Sequence, residues 1–159
     1  MKKTALKRKT PFRSNTPLKA KKGTLKARNG KGLAKASKQP ISLIQRKLWD
    51  ECKRIIRTRY PNVCYTCNAQ GLAGSNWHTG HMLAKASVGA ILKYDLRLLR
   101  PQCYLCNIRH GGRGADFIEN MRRIEGNEYV DGILADRQKT VKAYDHYQFL
   151  LASYKETID

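Results

Sequence analysis

Apolar residues begin to recur at a regular spacing only after residue 41, where one face of a helix would carry four of them. These residues are Ile44, Leu48, Cys52 and Ile55. The period predicts an amphipathic helix over 42–60 with Ser42 as its N-cap. Tyr60 precedes a proline, which disfavours helical dihedral angles and ends the helix. Cys52 falls on the apolar face and is therefore expected in the core.

The pattern after residue 114 predicts three shorter helices. Asp116 and Glu119 are spaced as a capping box, which predicts a helix that Gly126 ends. A second short helix is expected over 127–136, and Thr140 is the predicted N-cap of the last helix. We expect these helices to supply packing for the region that precedes them.

Two Cys-x-x-Cys pairs mark the glycine-punctuated segment between the helical regions. The pairs are Cys64–Cys67 and Cys103–Cys106. A two-residue spacer lets a tight turn direct both sulfurs at one ion, so two such pairs predict a closed, structural Zn²⁺ site. Cysteines paired in this way, in a chain without a secretion signal, favour a metal over disulfides.

Charge changes the picture at the start of the chain. Residues 1–41 have no apolar period and no acidic residue, and residues 1–40 hold 14 of the 32 Lys and Arg. With a formal net charge of +20, this predicts a disordered basic arm that binds DNA through its phosphates. The arm residues expected at phosphates are Lys2, Lys3, Lys7, Arg8, Lys9 and Arg13. Neither a membrane span nor a signal peptide is predicted, so we expect a cytoplasmic protein without a membrane partner.

Three of the four histidines cluster around the cysteine pairs, and their chemistry suits phosphodiester hydrolysis. A neutral His81 near pH 7 can take a proton from an attacking water. A divalent cation on the scissile phosphate would offset the developing charge, and Asn107 with His110 or His78 would hold it. Nearby arginines could clamp the flanking phosphates. They are Arg97, Arg100, Arg109 and Arg113.

The order of these parts resembles the HNH, or ββα-metal, nucleases. In that pattern a strand ends in the catalytic His, a second strand carries a loop-fixing Asn or Asp, and a helix carries metal ligands. The resemblance implies that His81 is the general base, Asp95 the loop-fixing residue and Asn107 a ligand of Mg²⁺ or Mn²⁺. His110 would be a second ligand or a phosphate contact.

More narrowly, residues 60–155 resemble the phage NinG (Rap) family of recombination endonucleases. The matching segments are Trp77–His81, Cys103–Asn107 and Arg123–Asp131. The resemblance implies cleavage of branched DNA such as Holliday junctions and D-loops, in the host cytoplasm if the chain is phage-encoded. It implies a homodimer if two strands are cut symmetrically. That family has Asp at the position of His78, and many HNH enzymes have a ligand at that of Gly80, so the ligand set stays open.

The sequence therefore predicts an α+β protein with a basic arm at 1–41 and an HNH-type nuclease domain at 42–159. Within the domain, 42–60 is a helix, 63–114 holds the four-cysteine zinc site and the ββα-metal motif, and 115–159 is helical. The alternative is a non-catalytic zinc-ribbon protein that binds DNA or RNA, which leaves the clustered histidines unexplained. A third interpretation, a ribosome- or virion-associated packaging protein, rests on the basic arm alone.

Overall fold

Two strands and four α-helices make up the part of the chain that the computed structural model describes, residues 38–157. The helices are α1 (Ile41–Arg59), α2 (Gly114–Glu125), α3 (Asn127–Ala135) and α4 (Ala143–Glu156), and the strands are β1 (His78–His81) and β2 (Leu99–Gln102). A π-helical turn, Leu105–Arg109, follows β2. The α+β class is confirmed for these residues, whereas the predicted basic arm lies outside them except for 38–41.

Helix α1 forms where its apolar period matches the helical repeat, and the whole predicted apolar face is buried. It packs on α4 and β2 in a core that also contains Tyr147. Cys52 belongs to this core, as expected, and burial raises the pKa of its thiol to about 12. Its Sγ lies 3.6 Å from the carbonyl oxygen of Tyr94, which also accepts a hydrogen bond from the Tyr154 hydroxyl at 2.9 Å. Side chains from α1 and α4 therefore meet at one backbone oxygen of the loop between the strands.

The sheet is small and antiparallel. His81 lies opposite Leu99, and His78 lies opposite Gln102. All four residues of β2 are buried. Because an isolated two-stranded sheet is only marginally stable in water, this sheet depends on α1 and on the side chains that cover β2.

A second apolar cluster joins α2 and α3 to the loop between the strands. Its buried members are Met82, Val88, Leu92, Leu98, Phe117, Met121, Val130 and Ile133. The helix predicted over 127–136 is confirmed as α3, and Gly126, with φ of 96°, ends α2 as predicted. None of the described helices is both long enough and apolar enough to cross a membrane.

The starts of the helices differ from the prediction, and all three predicted N-caps are wrong. Ser42 is the second residue of α1, whose N-cap is Pro40. Asp116 lies inside the first turn of α2 and pairs with Arg113 at 2.7 Å. Thr140 lies three residues before α4. None of these helices has a side-chain hydrogen bond at its N-cap, so the packing of their apolar faces decides where they begin.

Candidate functional site

The four paired cysteines converge, as predicted, and could hold a metal ion. Their sulfur atoms all lie within 4.8 Å of one another, and Sγ of Cys67 is 3.8 Å from Sγ of Cys103. Two sulfurs that each lie about 2.3 Å from a tetrahedral ion are about 3.8 Å apart. The observed separation therefore fits a single ion. Among residues 38–157, no other group of three or more His, Cys, Asp or Glu side chains converges in this way.

Backbone N–H groups favour the thiolate form of Cys64, which is the form that binds a metal ion. Burial acts to raise the pKa of Cys64, but hydrogen bonds from the backbone of Cys103, Cys67 and Thr66 outweigh it and lower the pKa to about 7. The N–H of Cys106 lies 3.4 Å from Sγ of Cys103. Cys64 can therefore ionise near neutral pH, whereas burial raises the pKa of Cys67 and, together with the neighbouring thiols, raises that of Cys106 to about 12.

His81 ends β1 in a defined orientation. Its Nε2 lies 3.2 Å from the backbone carbonyl oxygen of Lys93. Because a carbonyl oxygen can only accept a hydrogen bond, Nε2 carries the proton and Nδ1 keeps its lone pair. The imidazole also stacks on the indole of Trp49, with ring centroids 5.1 Å apart and planes inclined by 17°. The ring is thereby held in the tautomer that leaves Nδ1 available as a base.

The surroundings of His81 keep its imidazole neutral at pH 7. Burial lowers its pKa to about 4, the Lys93 carbonyl acts in the opposite direction, and the positive charge of Lys85 lowers it further. The Lys85 ammonium lies over two rings, with Nζ 4.3 Å from the centroid of Trp49 and 4.9 Å from that of Tyr94. A cation is thus held beside the same indole that packs on His81.

The position before His81 has no room for a side chain. A Cβ added to Gly80 would lie 1.9 Å from Oε1 of Gln102. That amide is fully buried, and its Nε2 donates to Oγ1 of Thr66 at 2.6 Å and to the carbonyl of Gly112 at 2.8 Å. A metal ligand cannot stand at residue 80 in this fold, because its side chain would displace a hydrogen-bonded core residue.

Asn107 lies on the π-helical turn, which packs on β1. With Thr79 and His78 it lines a hollow of about 380 Å³. Successive strand residues alternate between faces, so His81 shares the face of Thr79 and His78 lies on the other. The exposed His110 follows the turn. Asn107 therefore lies beside the strand that carries His81, but within residues 38–157 the three predicted histidines do not gather into one cluster of ligands.

Asp95 holds the turn that leads into β2. Its carboxylate accepts a hydrogen bond from the backbone N–H of Arg97 at 2.9 Å and pairs with the guanidinium of Arg97 at 2.6 Å. The same guanidinium pairs with Asp136 at 2.7 Å. Asp95 thus fixes the loop two residues after the Lys93 carbonyl rather than through a hydrogen bond to His81.

Arg100 is not available to DNA, so the prediction of a phosphate contact is wrong for this residue. It is 1 % exposed, and its guanidinium donates to Glu125 at 2.7 Å and to the carbonyl of Leu99 at 2.8 Å. The rings of Tyr60 and Tyr65 lie over it, with centroids 4.8 and 5.6 Å away. Arg100 stabilises the fold beneath β2.

Two of the predicted phosphate contacts, Arg109 and Arg113, follow Cys106 and differ in their surroundings. Arg113 pairs with Asp116 at 2.7 Å, and its Nη1 lies 4.0 Å from Sγ of Cys106. Arg109 is exposed on the π-helical turn. Arg109 is therefore better placed than Arg113 to meet a phosphate.

Sequence reasoning missed the residues that surround His81. Trp49 lies at the edge of the apolar face of α1, and its contact with a histidine is not evident from that pattern. Nothing in the sequence distinguishes Lys85 from the other lysines. Lys93 acts through its backbone carbonyl, a group that every residue has, so its residue type does not indicate this role. An aromatic residue at the border of an apolar helix face was the one usable signal.

Comparison with models of known protein families, with curated proteins and with solved structures finds no significant match to this chain.

Proposed function

We propose that this protein is a metal-dependent DNA endonuclease of the HNH, or ββα-metal, type. The observation that carries the proposal is the state of His81, a neutral imidazole fixed through Nε2, which leaves Nδ1 as the unprotonated ring nitrogen. The order of elements also supports it, because the strand that ends in His81 is followed by β2 and then by the helical turn that carries Asn107.

We further propose that the four cysteines bind structural Zn²⁺. Four thiolates are the donor set that this ion takes in closed tetrahedral sites, and such a site leaves no position for water or substrate. The ion would tie the turn at Cys64–Cys67 to the turn that follows β2. Its role would be to hold Asn107 against β1.

In the proposed reaction, Nδ1 of His81 accepts the proton of a water whose oxygen bonds to the scissile phosphorus, and the ring becomes an imidazolium. The bond from phosphorus to the 3′ oxygen breaks, and the leaving oxygen takes a proton from solvent. The Lys93 carbonyl keeps Nε2–H in place while the charge develops. The amide oxygen of Asn107 is a donor that Mg²⁺ and Mn²⁺ accept, and a divalent ion bound there would neutralise charge on the phosphate. Among residues 38–157 no carboxylate lines the hollow around Asn107, so phosphate and water oxygens would complete the shell of such an ion.

DNA is the proposed substrate because the charge of +20 favours a polyanion. The sequence resemblance favours branched recombination intermediates, and a homodimer would be needed to cut two strands symmetrically. The second candidate function is a zinc-ribbon protein that binds nucleic acid without cutting it. One observation favours it: among residues 38–157, the cysteine cluster is the only site with three or more converging ligands of the His, Cys, Asp and Glu types.

Cleavage of matched linear, flapped and four-way DNA with added Mg²⁺ or Mn²⁺ tests the proposal. His81→Ala should reduce cleavage by about 10²- to 10⁴-fold, the usual effect of losing a general base, while DNA binding and zinc content stay unchanged. Asn107→Ala should also reduce cleavage, and excess Mn²⁺ should partly restore it, because a lost ligand weakens metal binding. Mn²⁺ should not restore His81→Ala.

His146→Ala is the matched control, since His146 also bonds a backbone carbonyl through Nε2, at 3.3 Å from the oxygen of Ile91. It should cleave at the wild-type rate. Wild-type cleavage by His81→Ala, in a preparation free of contaminating nuclease, would refute the endonuclease proposal and leave the zinc-ribbon protein in its place.

A further inference from the structure

Three hollows beside α1 and the π-helical turn share lining residues, and together they are called the groove. Their volumes are about 600, 380 and 490 Å³. The first two share Lys53, Arg57 and Trp77, and the last two share Ser75 and His78. Because neighbouring hollows share walls, a chain-like ligand could pass through all three.

The lining of this groove combines aromatic rings with positive charge. Trp49 and Trp77 line the middle hollow, and Tyr104 lines the last one. Tyr104 is 45 % exposed although it is a large aromatic residue. Of the groove residues in the described part of the chain, Asp50 alone carries a carboxylate, and it is paired with Lys53 at 2.7 Å. The groove is therefore open, basic and aromatic.

We propose that this groove binds a single-stranded segment of DNA, with a base stacked on Tyr104 and phosphates held by Lys53 and Arg57. Basic grooves with exposed aromatic rings bind single strands because every base offers a π face. Hollows of this size accept separate bases, whereas the bases of a duplex are stacked on one another and cannot enter. The guanidinium of Arg57 uses Nη2 for the carbonyl of Trp77, at 2.7 Å, and has further N–H donors for a phosphate.

The groove proposal names the form of DNA that the proposed endonuclease binds. It rests on the proposed function only for cleavage of the bound strand. Asn107 lines the middle hollow, so a strand in the groove would pass the residue proposed to hold the catalytic ion. The groove itself would bind a single strand whether or not the protein cuts it. Binding can therefore be measured separately from cleavage.

The test uses the full chain without added Mg²⁺ or Mn²⁺ and without a chelator, which would remove the proposed zinc. It measures fluorescence anisotropy of labelled oligothymidylate and of a hairpin duplex with the same number of phosphates. Tyr104→Ala should weaken binding of the single strand by about 5- to 100-fold, the usual effect of losing one stacking ring, and binding of the duplex by less than twofold. Tyr104→Phe keeps the ring and should bind as the wild type does. Phe149→Ala is the matched control, because Phe149 is 67 % exposed on α4 and lies outside the groove.

The charge of the groove is tested in the same way. Arg57→Ala should weaken binding of the single strand more than binding of the duplex. Lys47→Ala removes an exposed α1 cation outside the groove and should not weaken single-strand binding selectively. The backbone N–H of Tyr104 is held by Oδ1 of Asn76 at 2.9 Å, so the side-chain changes at 104 leave the turn anchored. Thermal unfolding and zinc content check that each variant is folded.

A second readout needs no variant. An oligonucleotide with 2-aminopurine at successive positions should lose fluorescence at one or two positions when it binds the wild-type protein, because stacking on an aromatic ring quenches this base. Absence of quenching at every position, or equal losses of single-strand and duplex affinity in Tyr104→Ala, would overturn the groove proposal. Loss of cleavage in His81→Ala with the groove results unchanged would support both proposals, and failure of either set of results alone would refute only the proposal that it tests.

Discussion

His81 should remain neutral in the free protein well below the pH at which an exposed histidine becomes charged. Burial under Trp49 and the charge of Lys85 lower its pKa from 6.5 to about 4. At pH 5.5 a group with a pKa of 4 is only about 3 % protonated, whereas a group with a pKa of 6.5 is about 90 % protonated. A measurement at this single pH therefore separates the two states, in conditions far milder than pH 4.

The same difference has a cost in stability whose sign follows from linkage. Between pH 6.5 and 4 the unfolded chain binds a proton at His81 and the folded protein does not. The free energy of unfolding therefore falls as the pH falls through this window, and it is fully regained above it. At about 1.36 kcal/mol for each pH unit, the contribution of His81 amounts to roughly 3 kcal/mol.

The assay is a two-dimensional NMR titration of the histidine Cε1–H groups, with the His81 signal assigned from a His81→Gln variant. Trp49→Ala opens one face of the ring to water and should raise its pKa towards 6.5. Lys85→Met keeps an apolar chain over the indole but removes the charge, and it should raise the pKa by less, because burial is the larger cause. Lys47→Met removes an exposed cation from α1 and should leave the titration unchanged.

Activity should follow the same proton. In the free protein His81 becomes protonated only as the pH falls towards 4, so kcat/KM should decrease only there. A DNA phosphate beside the ring would raise the pKa of His81, so kcat should decrease at a higher pH. A His81 signal that is mostly protonated at pH 5.5 in the folded wild-type protein would refute the reasoning, since burial would then not control its charge.

Three further predictions concern the framework around the site. The purified protein should contain about one zinc per chain, and Cys64→Ser should abolish cooperative thermal unfolding as well as zinc binding. Gly80→Ala should destabilise the protein by about 1–3 kcal/mol in urea unfolding, because its methyl meets the buried glutamine beneath it, whereas Gly132→Ala, with open space around its Cβ, should be neutral or stabilising. Arg100→Met should change stability but not DNA affinity measured by anisotropy, and Arg109→Ala should do the opposite; a loss of DNA affinity in folded Arg100→Met would contradict the buried position of that side chain.

Features that depend on local spacing could be predicted from the sequence. The apolar period predicted α1, and the two short spacers predicted that the cysteines converge, since each rests on residues a few positions apart. The burial of Arg100 could not be predicted, because its partner Glu125 comes from α2. A charged residue in a short strand normally faces water. The helix starts were wrong for a related reason: packing, rather than a capping side chain, determined them.

The environment of His81 shows the same limit. Its position at the end of a strand follows from the motif, but the stacked indole of Trp49 comes from α1 and the carbonyl of Lys93 from a loop without a distinctive pattern. The hydrogen bonds and the burial that set its pKa are long-range contacts. Sequence reasoning could name the proposed base without being able to say how basic it is.

The backbone oxygen of Tyr94, where α1 and α4 meet, bears on how small a working version of this protein could be. A chain cut before α4 would retain all four cysteines, His81 and Asn107, and by motif it would look complete. It would lack the Tyr154 hydroxyl that holds this oxygen, one residue after the carbonyl that orients His81. The segment between the cysteine pairs is therefore not expected to work in isolation. Transfer of this segment to another scaffold would also require α4 and its hydrogen bond to that loop.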